Sequence, residues 1–245
     1  MEQVNTLFDI KRHRALFDTE AYAIPLHVVG VGGVGSHLLY NCGHMGVGQN
    51  PNCVVSIYDD DVVEAHNPPS QSFESRHVGQ LKVAALSEQY GSWSNGVIIK
   101  PHPIKVRDNV AFSGVVCLCL DSMEDRKHIL DNLIWGNPDV QMVIETRMDA
   151  TLAKVHVMNP MDPRHRKIWD TYYWYSDNET ENGLGCDGHL SIVTATGLTG
   201  ILAAEQLKLF ASLGSAREMP NEVSVNMRNW STVVRHWSTL VLDDE

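Results

Sequence analysis

The chain has 245 residues, 43% of them hydrophobic and 20% charged, with a formal net charge of −11, a balance that suits a soluble globular protein and excludes a general nucleic-acid binder, which needs a basic surface. No apolar run approaches the roughly 20 residues of a membrane-spanning helix, and the segment from Met1 to Asp18 lacks the apolar centre of a signal peptide. With five cysteines and no secretory signal, a reducing cytoplasm is the expected compartment, and neither nucleic acid nor membrane is an expected partner.

In chain order, an apolar run from Ile24 to Val29 predicts a first strand. It leads into Gly30-x-Gly32-Gly33-x-Gly35-Ser36 and then a helix carrying Leu38, Leu39, Cys42 and Met45. A turn without Cβ atoms lets phosphate oxygens reach main-chain N–H groups, and the helix N-terminus behind it favours negative charge. The spacing fits a dinucleotide fingerprint, although close helix–strand packing alone produces the same turn. Cys53 to Tyr58 reads as a second strand, residues 65–75 as turns, and Val78 to Tyr90 as a helix. Val97 to Val106 reads as a strand interrupted by prolines. The wholly apolar run Val115 to Leu120 is a strand of the kind buried in a parallel sheet. A helix over Met123 to Ile134 and a strand over Val140 to Ile144 complete an alternation that predicts an α/β fold: a Rossmann-like, doubly wound, mostly parallel sheet with helices on both faces.

The second half is less regular. A strand is expected at Ala153 to Met158, a crossover loop over 160–190, and the longest helix over Ile192 to Leu213. A C-terminal strand pair follows at Glu222 to Met227 and Ser231 to Leu242, joined by Arg228-Asn229-Trp230. Residues 23–245 form one domain on this reading.

The second strand ends in Asp59-Asp60-Asp61, about two dozen residues beyond Gly35, where a carboxylate can accept hydrogen bonds from both hydroxyls of a ribose. The segments that follow are Asp59-x-Asp61-x-Val63-x-x-x-Asn67, Gln71, Val78-Gly79-x-x-Lys82 and Asp121-Ser122-x-x-x-Arg126. In order and spacing, these together with the glycine loop resemble the superfamily of ThiF, MoeB and the ubiquitin-activating enzymes. The resemblance implies ATP binding and adenylation of a carboxylate, usually the C-terminal glycine of a ubiquitin-like or sulfur-carrier protein. It places Asp59 on the ribose, with Asp61, Asn67, Gln71 and Lys82 lining the nucleotide and Asp121 holding Mg²⁺. It also implies that residues 1–22 form an N-terminal helical arm, with Arg12 or Arg14 reaching into the partner subunit of a homodimer. Cys186, in the loop before the last long helix, takes the position of the thioester-forming cysteine, with His189 nearby.

Two departures stand out. Ser70 occupies the place of the family's arginine directly before the glutamine, and a serine cannot offer the fixed fork of donors that neutralises phosphate. Arg76, six residues on, is the candidate substitute. Cys-x-x-Cys pairs are missing, so the structural zinc of many relatives is not expected. Two other functions compete: a catalytically degenerate, nucleotide-binding scaffold subunit, favoured by Ser70, and an NAD-dependent dehydrogenase, favoured by the glycine loop with Asp59. The dehydrogenase reading leaves Asn67, Gln71, Lys82 and Asp121 unexplained.

Overall fold

The structure, a computed structural model, describes residues 14–107, 110–177 and 192–240. β1 (Leu26–Val29) and β2 (Val55–Tyr58) are buried at every position, His27 and Ser56 included, as mostly apolar strands covered on both faces are. Five strands are parallel: β1, β2, β3 (Lys100–His102), β4 (Gly114–Leu118) and β5 (Val140–Met148). β6 (Leu152–Met158), β7 (Glu222–Asn226) and β8 (Ser231–Arg235) continue the sheet antiparallel, giving the order β3-β2-β1-β4-β5-β6-β7-β8.

Side chains alternate between two cores, one on each face of the sheet. Val28, Ile57, Val115 and Cys117 join a cluster with α1 (Gly33–Met45), α2 (Lys82–Trp93) and α5 (Val193–Leu213). Val29, Tyr58, Val116 and Leu118 join the opposite one, with α3 (Met123–Ile129, running on into a π-helical turn Leu130–Ile134) and α4 (Pro163–Ile168). The Rossmann-like, doubly wound reading holds, and so does the C-terminal strand pair.

Several boundaries move for local reasons. α2 starts at Lys82 rather than Val78, because Gly79 adopts φ 90° and Leu81 makes an antiparallel bridge with Val62. β3 shrinks to Lys100–His102 at the sheet edge, where Pro101 is tolerated because its missing donor faces no neighbouring strand. The expected loop over 160–190 contains α4, with Asp162 accepting the N–H of Arg164, Pro163 in the first turn and Trp169 fully buried. Of the expected N-terminal arm, residues 1–13 lie outside the described residues, and 14–22 form turns around Asp18.

The first strand–helix turn is the tightest approach in the fold. A Cβ at Gly35 would lie 2.1 Å from the carbonyl oxygen of Gly30, which itself adopts φ 81°. Gly35→Ala therefore forces backbone apart. Overpacking of this kind costs about 1–3 kcal/mol, so a melting curve of the variant is expected to fall by about 2–12 °C. An unchanged melting temperature would show that the turn is looser than this geometry.

Candidate active site

β1 is followed by a helix on one face of the sheet and β4 by a helix on the other, and a crevice opens where such neighbouring strands part. Here it is a cleft of about 770 Å³ at the C-terminal ends of β1, β2, β4 and β5. Gly30, Gly32 and Gly33 form its floor. At Gly32 an added Cβ would come no nearer than 3.9 Å to any side chain, so the main chain is open to a ligand there. Ser36 lies behind the loop, fully buried. Its Oγ donates to the Gly33 carbonyl and accepts the Ser72 N–H at 2.9 Å, tying the loop to the segment after β2.

The end of β2 supplies the acidic wall. Asp59 Oδ2 accepts the Val31 N–H at 2.8 Å and Oδ1 accepts the Asp61 N–H at 2.9 Å. A carboxylate offers about four acceptor positions, so lone pairs on both oxygens remain for a diol. Burial raises the Asp59 carboxyl above its ordinary value, against the pull of Lys82 and the two N–H groups. Lys82, almost buried, reaches Asp61 Oδ2 at 2.7 Å. Asn67 Oδ1 accepts the Glu64 N–H at 2.8 Å, which fixes the amide in the cleft wall. Gln71 lines the same wall, and its Oε1 is buried without a hydrogen-bond partner among the described residues.

Asp121 follows β4. Its Oδ1 accepts the N–H of Ser122, and Ser122, not Asp121, caps α3 through the N–H of Asp125. Asp121 thus stays exposed on the cleft. Behind it lies a buried ionic group that sequence reading does not anticipate. Arg126 donates to the carbonyls of Leu118 and Leu120 and to Glu145 Oε1 at 3.0 Å. Arg147 Nε donates to the same Oε1 at 2.8 Å, and His156 Nδ1 lies 2.5 Å from Oε2. Burial alone would raise the Glu145 carboxyl, but Arg147, Arg126 and His156 outweigh it and hold it far below the usual carboxylate range. Burial lowers the pKa of His156 despite the carboxylate beside it, so a neutral ring donating to an ionised Glu145 fits both directions.

The cleft therefore gathers Gly30, Gly32, Gly33, Asp59, Asp61, Asn67, Gln71, Lys82 and Asp121. Other expected residues lie elsewhere. Ser70 is buried away from the cleft, its carbonyl accepting Thr196 Oγ1 at 2.7 Å. Arg76 pairs with Glu74 and Glu88 outside the cleft, so it does not stand in for the family arginine. Arg14 pairs with Asp18 and Glu20 of its own chain. Arg12, Cys186 and His189 fall outside the described residues.

The donors present suit ATP with Mg²⁺. The open main chain at Gly32 and the Lys82 ammonium line one cavity. The exposed carboxylate of Asp121 matches an ion that takes most of its ligands from phosphates and water.

The ThiF family matches the chain over residues 22–242. Among solved structures, E. coli MccB with ATP superposes with a TM-score of 0.64 at 12% identity, over 91% of this chain and 66% of that one. E. coli MccB with MccA gives a TM-score of 0.69 at 11% identity, over 95% and 72%. PaaA gives a TM-score of 0.61 at 13% identity, over 87% and 64%. The chain thus spans about two thirds of the length of these proteins. At such identities the likeness is one of fold. No curated protein matches the chain. Among the described residues no helix is long and apolar enough to cross a membrane.

Proposed function

The chain belongs to the ThiF family, and from that premise we propose that it adenylates a carboxylate with ATP. The observation that carries this reading is the convergence of Asp59, Asn67, Gln71, Lys82 and Asp121 on the glycine loop in one cleft. A carboxylate oxygen of the acceptor attacks the α-phosphorus. The bond from that phosphorus to the bridging oxygen breaks, pyrophosphate leaves with the electron pair, and no proton moves. Catalysis of such a step is positioning and neutralisation of phosphate charge. Asp59 orients the ribose, the loop amides and Lys82 hold phosphate oxygens, and the Asn67 and Gln71 amides fix the remaining contacts. Asp121 would hold Mg²⁺, which would supply charge neutralisation on the phosphates.

The acceptor in this reading is the C-terminal carboxylate of a ubiquitin-like or sulfur-carrier protein. The structures of MccB with MccA support extending that class to a peptide acceptor. Cys186 would then attack the acyl carbon, releasing AMP and forming a thioester. Arg12 or Arg14 would act across a homodimer, in the cytoplasm.

ATP–pyrophosphate exchange tests the reading, with carboxyl-terminal glycine proteins co-purifying from the native host as acceptors. Exchange that is lost in Asp121→Ala supports it. ATP binding without exchange would leave the scaffold reading, and a protein that binds no ATP sinks both. Cys186→Ala is expected to retain exchange and to lose any thiol-sensitive adduct; an unchanged adduct removes Cys186 from the mechanism.

A further inference from the structure

We propose that the end of the cleft remote from the glycine loop is an anion-binding compartment for the acceptor's carboxylate, and that Arg228, in the β7–β8 turn, is the cation that receives it. The assignment of a carboxylate acceptor rests on the function proposed above. The compartment itself rests on where the cations of the cleft stand.

Most of them are committed. Lys82 pairs with Asp61, Lys105 with Asp125, and Arg126 and Arg147 with Glu145. Arg228 is the exception. It lines the cleft, is exposed, and makes no ion pair among the described residues. Its main chain is nevertheless held, because its N–H donates to Asn226 Oδ1 at 3.0 Å. The preceding Met227 N–H donates to the Thr151 carbonyl at 2.7 Å, which joins the hairpin to the β5–β6 turn.

Arg147 gives a second, independent sign in the same wall. Nε is spent on Glu145 and Nη1 on the Tyr173 carbonyl at 2.6 Å, but Nη2 is buried with no hydrogen-bond partner among the described residues. Leaving a buried donor unpaired is unfavourable, and an acceptor entering this end would satisfy it. The acidic residue there, Asp149, is half-buried, and its Oδ1 accepts the Thr151 and Leu152 N–H groups at 2.6 and 2.8 Å. Those bonds hold one of its two oxygens to the turn.

The direction of the reaction agrees. Attack on the α-phosphorus proceeds in line with the departing pyrophosphate. Lys82, Asn67 and Gln71 come from the segment after β2, on the β1–β2 side of the cleft, which assigns the leaving group to that side. The nucleophile then arrives from the β5–β7 side, where Arg147 and Arg228 stand. A guanidinium pairs with a carboxylate through two parallel N–H donors and keeps it ionised, as the attacking form must be.

The test uses the full chain with ¹⁵N-labelled arginine, following the side-chain Nε–Hε signals while glycylglycine or glycylglycinamide is added, with and without the ATP analogue AMPCPP. Free glycylglycine is expected to shift the Arg228 signal saturably and the amide to leave it in place. In Arg228→Lys the shifts of the remaining signals should need about tenfold more dipeptide. A response equal for acid and amide, no saturable response, or one unchanged in Arg228→Lys overturns the proposal. A carboxylate response in a protein that ignores AMPCPP would sink the ATP reading and leave the compartment standing. AMPCPP binding without a carboxylate response does the reverse.

Discussion

Lys82→Ala is expected to lower ATP–pyrophosphate exchange about 10²–10³-fold, the loss of about 2.7–4 kcal/mol that follows removal of one preorganised donor to developing charge. The ammonium is well placed for that role. Its stem is buried at the start of α2, its main-chain N–H donates to the Asp61 carbonyl at 2.9 Å, and Nζ lies against Asp61 Oδ2 at 2.7 Å. Because the Asp61 side chain is 66% exposed, water takes over its solvation in the variant and the fold loses little from that side. Lys82→Arg should recover only part of the activity, since a planar fork cannot occupy the place of a compact ammonium. Exchange at saturating ATP within about threefold of the unsubstituted protein would remove Lys82 from the phosphate site, on a scale where tenfold is 1.4 kcal/mol.

Much of this site is legible in the sequence because its parts are local. β1, the glycine loop and α1 are contiguous, and the acidic end of β2 follows a buried, mostly apolar strand. Lys82 and Asp121 lie at the starts of segments whose periodicity marks them. Residues that depend on strand pairing are not legible in this way. Glu145 meets His156 because β5 and β6 are antiparallel with those two residues opposite each other, and no spacing announces that register. The nearest signal was a glutamate directly after the apolar run Val140 to Ile144, which extends β5 to Met148 instead of ending it. Arg228 is hidden for a related reason. It is a turn residue whose relation to the cleft exists only because β7 lies beside β6 and the hairpin tip bonds to Thr151. Ser70 shows the converse. As a motif position it reads as a missing phosphate ligand, whereas in the fold it is buried beneath the start of α5.

Glu145→Ala should be the most destabilising single change near the site. The carboxylate is fully buried between Arg126, Arg147 and His156, and deleting one partner of a buried pair leaves uncompensated charge at a cost of about 3–5 kcal/mol. For a domain of this size that lowers the melting temperature by about 6–20 °C. The pH dependence has a defined sign. The folded-state pKa of Glu145 is depressed, so its contribution is fully present above the unfolded value near 4.5 and is lost as pH falls towards the folded one. Four histidines lowered by burial, His27, His37, His156 and His165, act at higher pH. Burial lowers His156 and pushes His27 down to about 4, so below about 6.5 the unfolded chain binds protons that the folded chain refuses, and stability falls there as well. Glu145→Gln should therefore keep the decline that begins near pH 6.5 and flatten the steeper part below 4.5. A variant whose denaturation midpoint follows the same acid limb as the unsubstituted protein would show that the carboxylate is not held ionised by the arginines. Arg126 also grips the Leu118 and Leu120 carbonyls just ahead of Asp121. Loosening the network should thus lower exchange well below the melting temperature, and a Glu145→Ala protein that is destabilised yet fully active at 20 °C would confine the network to stability alone.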